Sequence, residues 1–249
     1  MNYNTAINYG SKVLKKNLVK TANIDSEIIL SKTVNLSREK ILLNLDNILS
    51  SKQLKYFKKL INRRKKKEPI AYILKKKEFW KKSFTINSHV LIPRPDTEII
   101  VEQVFKYLPP NSSKSILEIG TGSGCIILSV LAERKNCYAK ALDISKKALK
   151  VAEYNAKIQH LENRIEFIYS GIDKFYTGKY DIIIWNPPYI KSASIKNLDE
   201  DVRLYEPRIA LDGGYDGYSQ FREIIKKSSS LLKNGGKLFL EIGHKQIYE

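Results

Sequence analysis

A short polar segment, the tetrapeptide NPPY beginning at Asn186, directly follows the apolar run DIIIW (181–185). If this run is a strand in a parallel sheet, the tetrapeptide lies at its carboxyl end, where such sheets bind ligands. The Asn186 side-chain carbonyl and a proline-peptide carbonyl can accept both hydrogens of a planar NH2 group, which aims the nitrogen lone pair at an incoming methyl group. The prolines fix the acceptor geometry, and the tyrosine forms an apolar wall. We therefore predict that Asn186, Pro187 and Tyr189 are catalytic and that these residues, with Pro188, bind the substrate.

A glycine-rich turn, LEIGTGSGC, occupies residues 117–125. Glycines let a backbone pass close to a ligand, but the spacing ExGxGxG differs from the GxGxxG of dinucleotide-binding turns. Glu118 would repel a pyrophosphate and suits a ligand that carries an ammonium group. S-adenosylmethionine meets that requirement, although such a turn can also serve only to pack a helix against a strand. The cofactor-binding residues predicted in this turn are Glu118, Gly120, Thr121, Gly122, Ser123 and Gly124.

Asp143 follows the next apolar run, within the segment ALDIS. Its carboxylate can accept hydrogen bonds from both ribose hydroxyls of an adenosine. It can equally cap the helix predicted to start near Ser145, and one aspartate can do both. We predict that Asp143, together with Asn186, contacts the cofactor.

Alternating elements must position these residues. The sequence predicts strands at 115–119, 138–142, 164–169, 181–185 and 237–242, with helices at Gly124–Arg134, Ser145–Gln159 and Tyr218–Leu232 between them. Such alternation favours a Rossmann-like α/β fold, with a doubly wound, mostly parallel sheet.

The N-terminal part has helical periodicity instead, which predicts a small helical bundle with Ser37 as one N-cap and Pro69 in the first turn of a short helix. A β-hairpin is expected next, and then a helix after Asp96. The predicted regions are a helical domain (1–74), a β-hairpin linker (75–95) and an α/β domain (96–249) that carries the glycine-rich turn and NPPY. The segment capped by Ser37 carries Ile41, Leu42 and Leu45. The positions expected to point inward are Ala6, Val13, Leu14, Leu18, Leu54, Phe57, Leu60, Ile61, Ile99, Ile100, Val104 and Leu108.

Composition narrows the protein class. The 249 residues include two cysteines, Cys125 and Cys137, and three histidines, which argues against a zinc site or a disulfide framework. No signal-peptide core or membrane-spanning stretch is evident, and we expect a cytoplasmic protein without a metal. The net charge of +18 is compatible with a nucleic-acid partner, but equally with a lysine-rich composition that only solvates the surface.

NPPY after ExGxGxG resembles the amino-methyltransferases among the class I S-adenosylmethionine-dependent enzymes. More specifically, the segments EPIAYIL, EFW, VLIPRPDTE, LEIGTGSGCI, NPPYI, YEPRIALDGGYDG and LFLEIG resemble the PrmC/HemK family over nearly the whole chain. The resemblance implies methylation of the side-chain amide nitrogen, N(5), of the glutamine in the GGQ motif of peptide chain release factors. It also implies S-adenosylmethionine as cofactor, the N-terminal bundle as the release-factor contact, a monomer, and no stable nucleic-acid partner.

Three features depart from the family pattern. Gly171 stands where the family has an acidic residue and Ile172 where it has Trp or Leu, so that Ile172 is expected at the cofactor and Asp173 can compensate for the missing carboxylate. Lys75 stands where a glycine is expected before the hairpin. The chain ends at Glu249, whereas class I methyltransferases continue with an antiparallel strand pair. We expect that pair to be absent and the last predicted strand to form an exposed sheet edge.

Two other functions fit the same motifs. An amino-methyltransferase acting on adenine or cytosine in RNA or DNA would present the same NH2 group, as would a glutamine of a ribosomal protein. A truncated, non-catalytic paralogue is the third hypothesis, motivated by the short C-terminus and Gly171. A Rossmann dehydrogenase is disfavoured by the glycine spacing and by NPPY.

Overall fold

A five-stranded parallel sheet organises the C-terminal part of the chain. In the computed structural model, which describes residues 1–243 and residue 246, the strand order is β5-β4-β3-β6-β7 and each neighbouring pair is parallel. The chain reverses its winding between β3 and β6, which places a crevice at their carboxyl ends. The prediction of a doubly wound α/β fold is therefore confirmed. The strands are β3 Ser115–Ile119, β4 Tyr138–Asp143, β5 Ile165–Tyr169, β6 Tyr180–Trp185 and β7 Leu232–Leu240, and a separate hairpin consists of β1 Lys76–Phe79 and β2 Lys82–Thr85.

The central strands are buried on both faces. Ile116 and Leu117 of β3 and Ile183 and Ile184 of β6 are fully buried, as expected for continuous apolar runs in a sheet with helices on both sides. These strands lie near their predicted positions. The helices of this part are α6 Glu98–Tyr107, α7 Cys125–Glu133, α8 Lys146–Ile158 and α10 Ser219–Leu231.

The last strand differs from its prediction of 237–242. It begins at Leu232 and ends at Leu240, paired with Trp185, so that Glu241 and Ile242 lie beyond the strand. Its partner β6 ends because Asn186 is followed by prolines, which have no N–H to continue the ladder. Within the described residues β7 is at the sheet edge, as expected.

The helices of the N-terminal part form a second compact unit, comprising Met1–Lys75 and Glu200–Tyr205. They are α1 Tyr3–Lys16, α2 Ala22–Val34, α3 Arg38–Leu42, α4 Ser51–Lys65, α5 Ile70–Leu74 and α9 Glu200–Tyr205. Ser37 caps α3, and Ser50 and Gln53 form a capping box on α4. Neither α2 nor α9 is predicted from the sequence. The buried Asp25 and Ser26 interrupt the apolar face of α2.

Two positions predicted to point inward are exposed, so those predictions were wrong. Leu18 is 83% exposed because it follows the end of α1 with φ of 55°. Ile99 is exposed because the buried stripe of α6 comprises Ile100, Val101 and Val104.

Lys75 adopts the conformation that usually selects glycine. It is the C-cap of α5 with φ of 59° and ψ of 28°, in the left-handed region. The backbone N–H of Lys75 donates to the Tyr72 carbonyl, which closes the turn before β1. The tight turn thus forms with a lysine, at a steric cost of about 1 kcal/mol.

Within the described part of the chain, no helix has both the length and the apolar character needed to cross a membrane.

Candidate active site

A pocket of about 800 Å³ opens at the carboxyl ends of the parallel strands. It is lined by the glycine turn after β3, the end of β4, the loop after β5, the NPPY segment after β6, and the segments 89–97 and 207–212. Of the predicted site residues, those that line this pocket are Gly120, Thr121, Gly122, Ser123, Asp143, Ile172, Asn186 and Pro188. The other four predicted residues, Glu118, Gly124, Pro187 and Tyr189, are not part of this lining.

The glycine turn needs left-handed backbone at three positions. Gly120, Gly122 and Gly124 have φ of 62°, 56° and 78°, a region that residues with a Cβ rarely adopt. A Cβ at Gly120 would also lie 3.2 Å from the Trp185 indole nitrogen. The sequence ExGxGxG therefore folds into a tight turn whose backbone is open to the pocket.

Asp143 ties this turn to the helix that follows. One carboxylate oxygen accepts a hydrogen bond from the Gly122 N–H at 2.9 Å, and the other accepts from the Ser145 N–H at 2.8 Å. The N-cap of α8 is Ser145, whose side chain accepts from the Ala148 N–H. Asp143 thus supports the turn and the cap residue, and burial raises its pKa.

Glu118 lies beneath the turn. It is 2% exposed, and its carboxyl accepts a hydrogen bond from the Thr121 hydroxyl. Burial raises the pKa of Glu118 to about 8, against the opposing effects of the bonds from Thr121 and the Ile127 N–H. The side chain therefore supports the glycine turn from below, and its predicted contact with an ammonium group stays a prediction.

The NPPY segment holds Asn186 at the pocket wall. The Asn186 amide Nδ2 donates to the Thr97 hydroxyl at 3.2 Å, and no described residue donates to its Oδ1. Pro187 is buried, and the Tyr189 hydroxyl donates to Glu241 at 3.3 Å. Asn186 thus lines the pocket, and its carbonyl oxygen accepts no hydrogen bond from the described residues.

The loop after β5 carries the departure from the family pattern. Ile172 is buried and lines the pocket, as do Gly171 and Asp173. A Cβ placed on Gly171 would overlap the carboxylate of Asp173. Asp173 therefore occupies space beside the position where the expected acidic side chain would begin.

Several residues of the site were missed by sequence reasoning. Glu206 has a 1% exposed side chain that pairs with Arg94 at 2.6 Å and accepts from the Ile92 N–H at 3.1 Å. Thr97 and Glu241 contact Asn186 and Tyr189. In the sequence, the only indication that these residues belong to the site is their position in the family-like motifs IPRPDTE, YEPR and LFLEIG.

Two protein-family models match this chain, one in each of its two parts. Residues 5–74 match the model described as the PrmC N-terminal domain, and residues 97–202 match the methyltransferase small domain.

Individual relatives extend this match over most of the chain. A release factor glutamine methyltransferase of Buchnera aphidicola subsp. Schizaphis graminum is 40% identical, covering 96% of this chain and 87% of that protein. One of Clostridium acetobutylicum is 39% identical, covering 90% of this chain and 80% of that protein. A bifunctional methyltransferase of Rickettsia felis is 36% identical, and this chain spans 50% of its length. By this identity and coverage, the chain belongs to the release factor glutamine methyltransferase family.

Proposed function

We propose that this protein is an S-adenosylmethionine-dependent methyltransferase that methylates the side-chain amide nitrogen of the glutamine in the GGQ motif of peptide chain release factors. The observation that carries the proposal is the position of Asn186, which lines the pocket with its NH2 group bonded to Thr97 and its carbonyl oxygen without a donor among the described residues. Family membership supplies the substrate. We expect the protein to act as a cytoplasmic monomer without a stable nucleic-acid partner.

The residues of the pocket fit the cofactor. Asp143 lines the pocket, and its two oxygens accept hydrogen bonds from the Gly122 and Ser145 N–H groups, which leaves lone pairs for ribose hydroxyls. The turn from Gly120 to Gly124 admits close backbone approach, and Ile172 adds an apolar surface. When bound, S-adenosylmethionine supplies an electrophilic methyl group on a sulfonium.

The protein's own contribution is to orient the substrate amide. Asn186 Oδ1 and a proline-peptide carbonyl accept the two N–H groups of the glutamine side chain, which leaves the nitrogen lone pair directed at the methyl group. The same acceptors stabilise the more positive nitrogen that develops during transfer. The Tyr189 ring and the rigid Pro187–Pro188 segment limit the movement of the acceptors.

A methyl-transfer assay tests the proposal directly. The purified protein is incubated with labelled S-adenosylmethionine and a release factor, its variant with the GGQ glutamine replaced by alanine, a ribosomal protein fraction, or total RNA. We expect label only in the unmodified release factor. Label in RNA or ribosomal protein alone would favour an alternative substrate, and no label anywhere would favour the non-catalytic paralogue.

Substitution of the acceptor separates chemistry from cofactor binding. We expect Asn186→Ala to lower kcat by about a hundredfold or more while the affinity for S-adenosylhomocysteine changes little, because the lost contact is made to the substrate. Asn163→Ala, at an exposed position before β5, is the matched control. Full activity of Asn186→Ala would refute the acceptor role.

A further inference from the structure

The residue that follows NPPY is paired with a later segment, residues 211–214, which belongs to the motif YEPRIALDGGYDG. The Ile190 N–H donates to the Leu211 carbonyl at 3.1 Å, and the Gly213 N–H donates to the Ile190 carbonyl at 2.8 Å. These two bonds form an isolated parallel bridge between Ile190 and Asp212. The chain is thus fixed immediately beyond the tetrapeptide.

The hydrogen bonding continues two residues further on. The Ser192 N–H donates to the Gly214 carbonyl at 2.9 Å, and the Ser192 hydroxyl donates to the Asp212 carboxylate at 2.5 Å. The same carboxylate accepts from the Gly214 N–H at 3.1 Å. Backbone and side-chain bonds therefore hold the two segments in one register.

Gly213 lies directly against the backbone of the tetrapeptide. It is buried, and a Cβ at this position would be 2.8 Å from the Pro188 carbonyl oxygen, 2.8 Å from the Tyr189 Cα and 2.9 Å from the Tyr189 carbonyl carbon. These are backbone atoms, which cannot rotate away as the end of a flexible side chain can. A residue with a Cβ fits here only if the peptide between Pro188 and Tyr189 moves.

The requirement for glycine at this position comes from the contact and not from the backbone conformation. The φ angle of Gly213 lies outside the left-handed region, so the angle itself does not favour glycine. The close approach of two backbones is the other circumstance that selects glycine.

The motif is anchored separately at its beginning. Glu206 has a 1% exposed side chain that pairs with Arg94 at 2.6 Å and accepts from the Ile92 N–H at 3.1 Å. Residues 206–214 are therefore attached at both ends to segments of the pocket wall, and they form a fixed support behind the tetrapeptide.

The position of this support matters for the carbonyl acceptors of the proposed reaction. One end of NPPY follows β6, and the Asn186 amide is bonded to the Thr97 hydroxyl. The other end rests on Gly213. Because the two prolines between these ends restrict rotation, a shift of the Pro188 carbonyl is passed along the tetrapeptide. A misplacement of about 1 Å can slow an enzyme about a hundredfold.

We propose that Gly213 is a positioning residue. By leaving no side chain between residues 211–214 and the peptide that joins Pro188 to Tyr189, it sets the place of the NPPY carbonyl groups that receive the substrate NH2 group. The proposal rests on the proposed function, which assigns the acceptor role to NPPY.

Amide hydrogen exchange followed by nuclear magnetic resonance tests the contact without any substrate. In the wild type we expect slow exchange of the Ile190 and Gly213 N–H groups, which form the bridge. In Gly213→Ala the Ile190 exchange should accelerate about tenfold or more, because the Cβ forces the two segments apart. The exchange of Leu117, in the centre of the sheet, should stay as in the wild type. Unchanged exchange of Ile190 would overturn the proposal.

Kinetics test the consequence for the reaction. Gly213→Ala is expected to lower kcat about tenfold to a hundredfold, with KM for the release factor and the affinity for S-adenosylhomocysteine within about threefold of wild type. Gly235→Ala is the matched control. Gly235 is exposed in β7 with φ of 76°, and no atom lies within 4 Å of a Cβ built on it. Its substitution strains the backbone and should lower Tm, but it should leave kcat and the Ile190 exchange unchanged.

A milder variant keeps the test decisive if Gly213→Ala fails to fold. Ser192→Ala removes one hydrogen bond between the two segments and introduces no overlap. We expect it to lower kcat about threefold to tenfold and to accelerate the Ile190 exchange, with unchanged affinity for S-adenosylhomocysteine. Ser192→Thr retains the hydroxyl and should restore both values. Wild-type kcat and wild-type Ile190 exchange in Ser192→Ala would contradict the supporting role of residues 211–214.

The two measurements separate the possible failures. A parallel loss of kcat, cofactor affinity and thermal stability in Gly213→Ala would show a purely structural role and overturn the proposal. If Ile190 exchanges as expected in the wild type and in the variants but the wild type methylates no release factor, the placement of the tetrapeptide by Gly213 stands and the proposed function fails.

Discussion

Asp143 and Gly122 are joined by a 2.9 Å hydrogen bond from the Gly122 N–H to the aspartate carboxylate, across the ends of two neighbouring strands. The other carboxylate oxygen accepts from the Ser145 N–H. The contact holds the glycine turn in place before any ligand binds. One side chain thereby shapes the turn and presents acceptors to the pocket.

Asp143→Ala should weaken the binding of S-adenosylhomocysteine by about a hundredfold, because the charged acceptor and the support of the turn are both lost. Asp143→Asn should lose less, since its carbonyl can still accept from Gly122. Titration calorimetry measures both, with Glu153→Gln on the exposed face of α8 as control. Equal affinity of Asp143→Ala and wild type would contradict the cofactor role of this residue.

The buried Glu118 should make stability depend on pH. Its pKa is about 8 when folded, against an ordinary value of 4.5. Between these values the folded state binds more protons than the unfolded state, so this group's contribution to stability falls as pH rises, by at most about 1.4 kcal/mol per pH unit. Urea unfolding from pH 5 to 8 should show this slope in the wild type and not in Glu118→Gln. Parallel pH profiles of the two proteins would show that Glu118 is not protonated in the fold.

The same residue gives a test of the predicted ammonium contact. If the ammonium group of S-adenosylhomocysteine approaches Glu118, the carboxyl should ionise, and binding at pH 7 should release nearly one proton. Calorimetry in buffers with different ionisation enthalpies counts this proton. Glu118→Gln should release none. Proton-neutral binding to the wild type would mean that Glu118 only supports the turn.

Lys75→Gly should stabilise the protein by about 0.5–1 kcal/mol, because Lys75 has φ of 59° and glycine adopts that region without steric cost. Lys75→Ala retains the Cβ and should bring no gain, which makes it the matched control. The measurement is the free energy of unfolding in urea. A less stable Lys75→Gly variant would show that the lysine side chain stabilises the fold by more than its left-handed backbone conformation destabilises it.

The N-terminal unit contains a buried ion pair whose loss should be severe. Arg64 contacts Asp25 at 2.6 Å, with side chains 9% and 4% exposed. Arg64→Met should destabilise the protein by about 3 kcal/mol, because Asp25 keeps a buried charge without its cation. The free energy of unfolding in urea measures the loss. Arg38→Met removes the more exposed Arg38–Glu27 pair and should cost under about 1 kcal/mol. If both variants lost a similar amount of unfolding free energy, burial of the Arg64–Asp25 pair would not explain its contribution to stability.

The sequence predicted the parts of the site that depend on local chain geometry. Apolar runs of strand length, each followed by a polar or glycine-rich segment, placed Gly120, Asp143 and Asn186 at the same sheet edge, because parallel strands end together. NPPY also indicated the reaction, since carbonyl acceptors on a rigid segment suit a planar NH2 group. The helices that the sequence did not predict are α2, which has polar residues on its inner face, and the short α9.

Long-range contacts required the tertiary structure. Asn186 bonds to Thr97 and Tyr189 bonds to Glu241, and each pair joins segments that are far apart in the chain. The pairing of β6 with β7 brings Glu241 beside the NPPY segment. Burial of Glu118 beneath its own turn likewise depends on the helix that covers it. The sequence by itself determined the succession of strands and helices along the chain and the chemistry at the strand ends, because both follow from local patterns. The tertiary structure decided which side chains orient that chemistry and which carboxyl groups hold a raised pKa, because orientation and desolvation arise only when distant segments pack together.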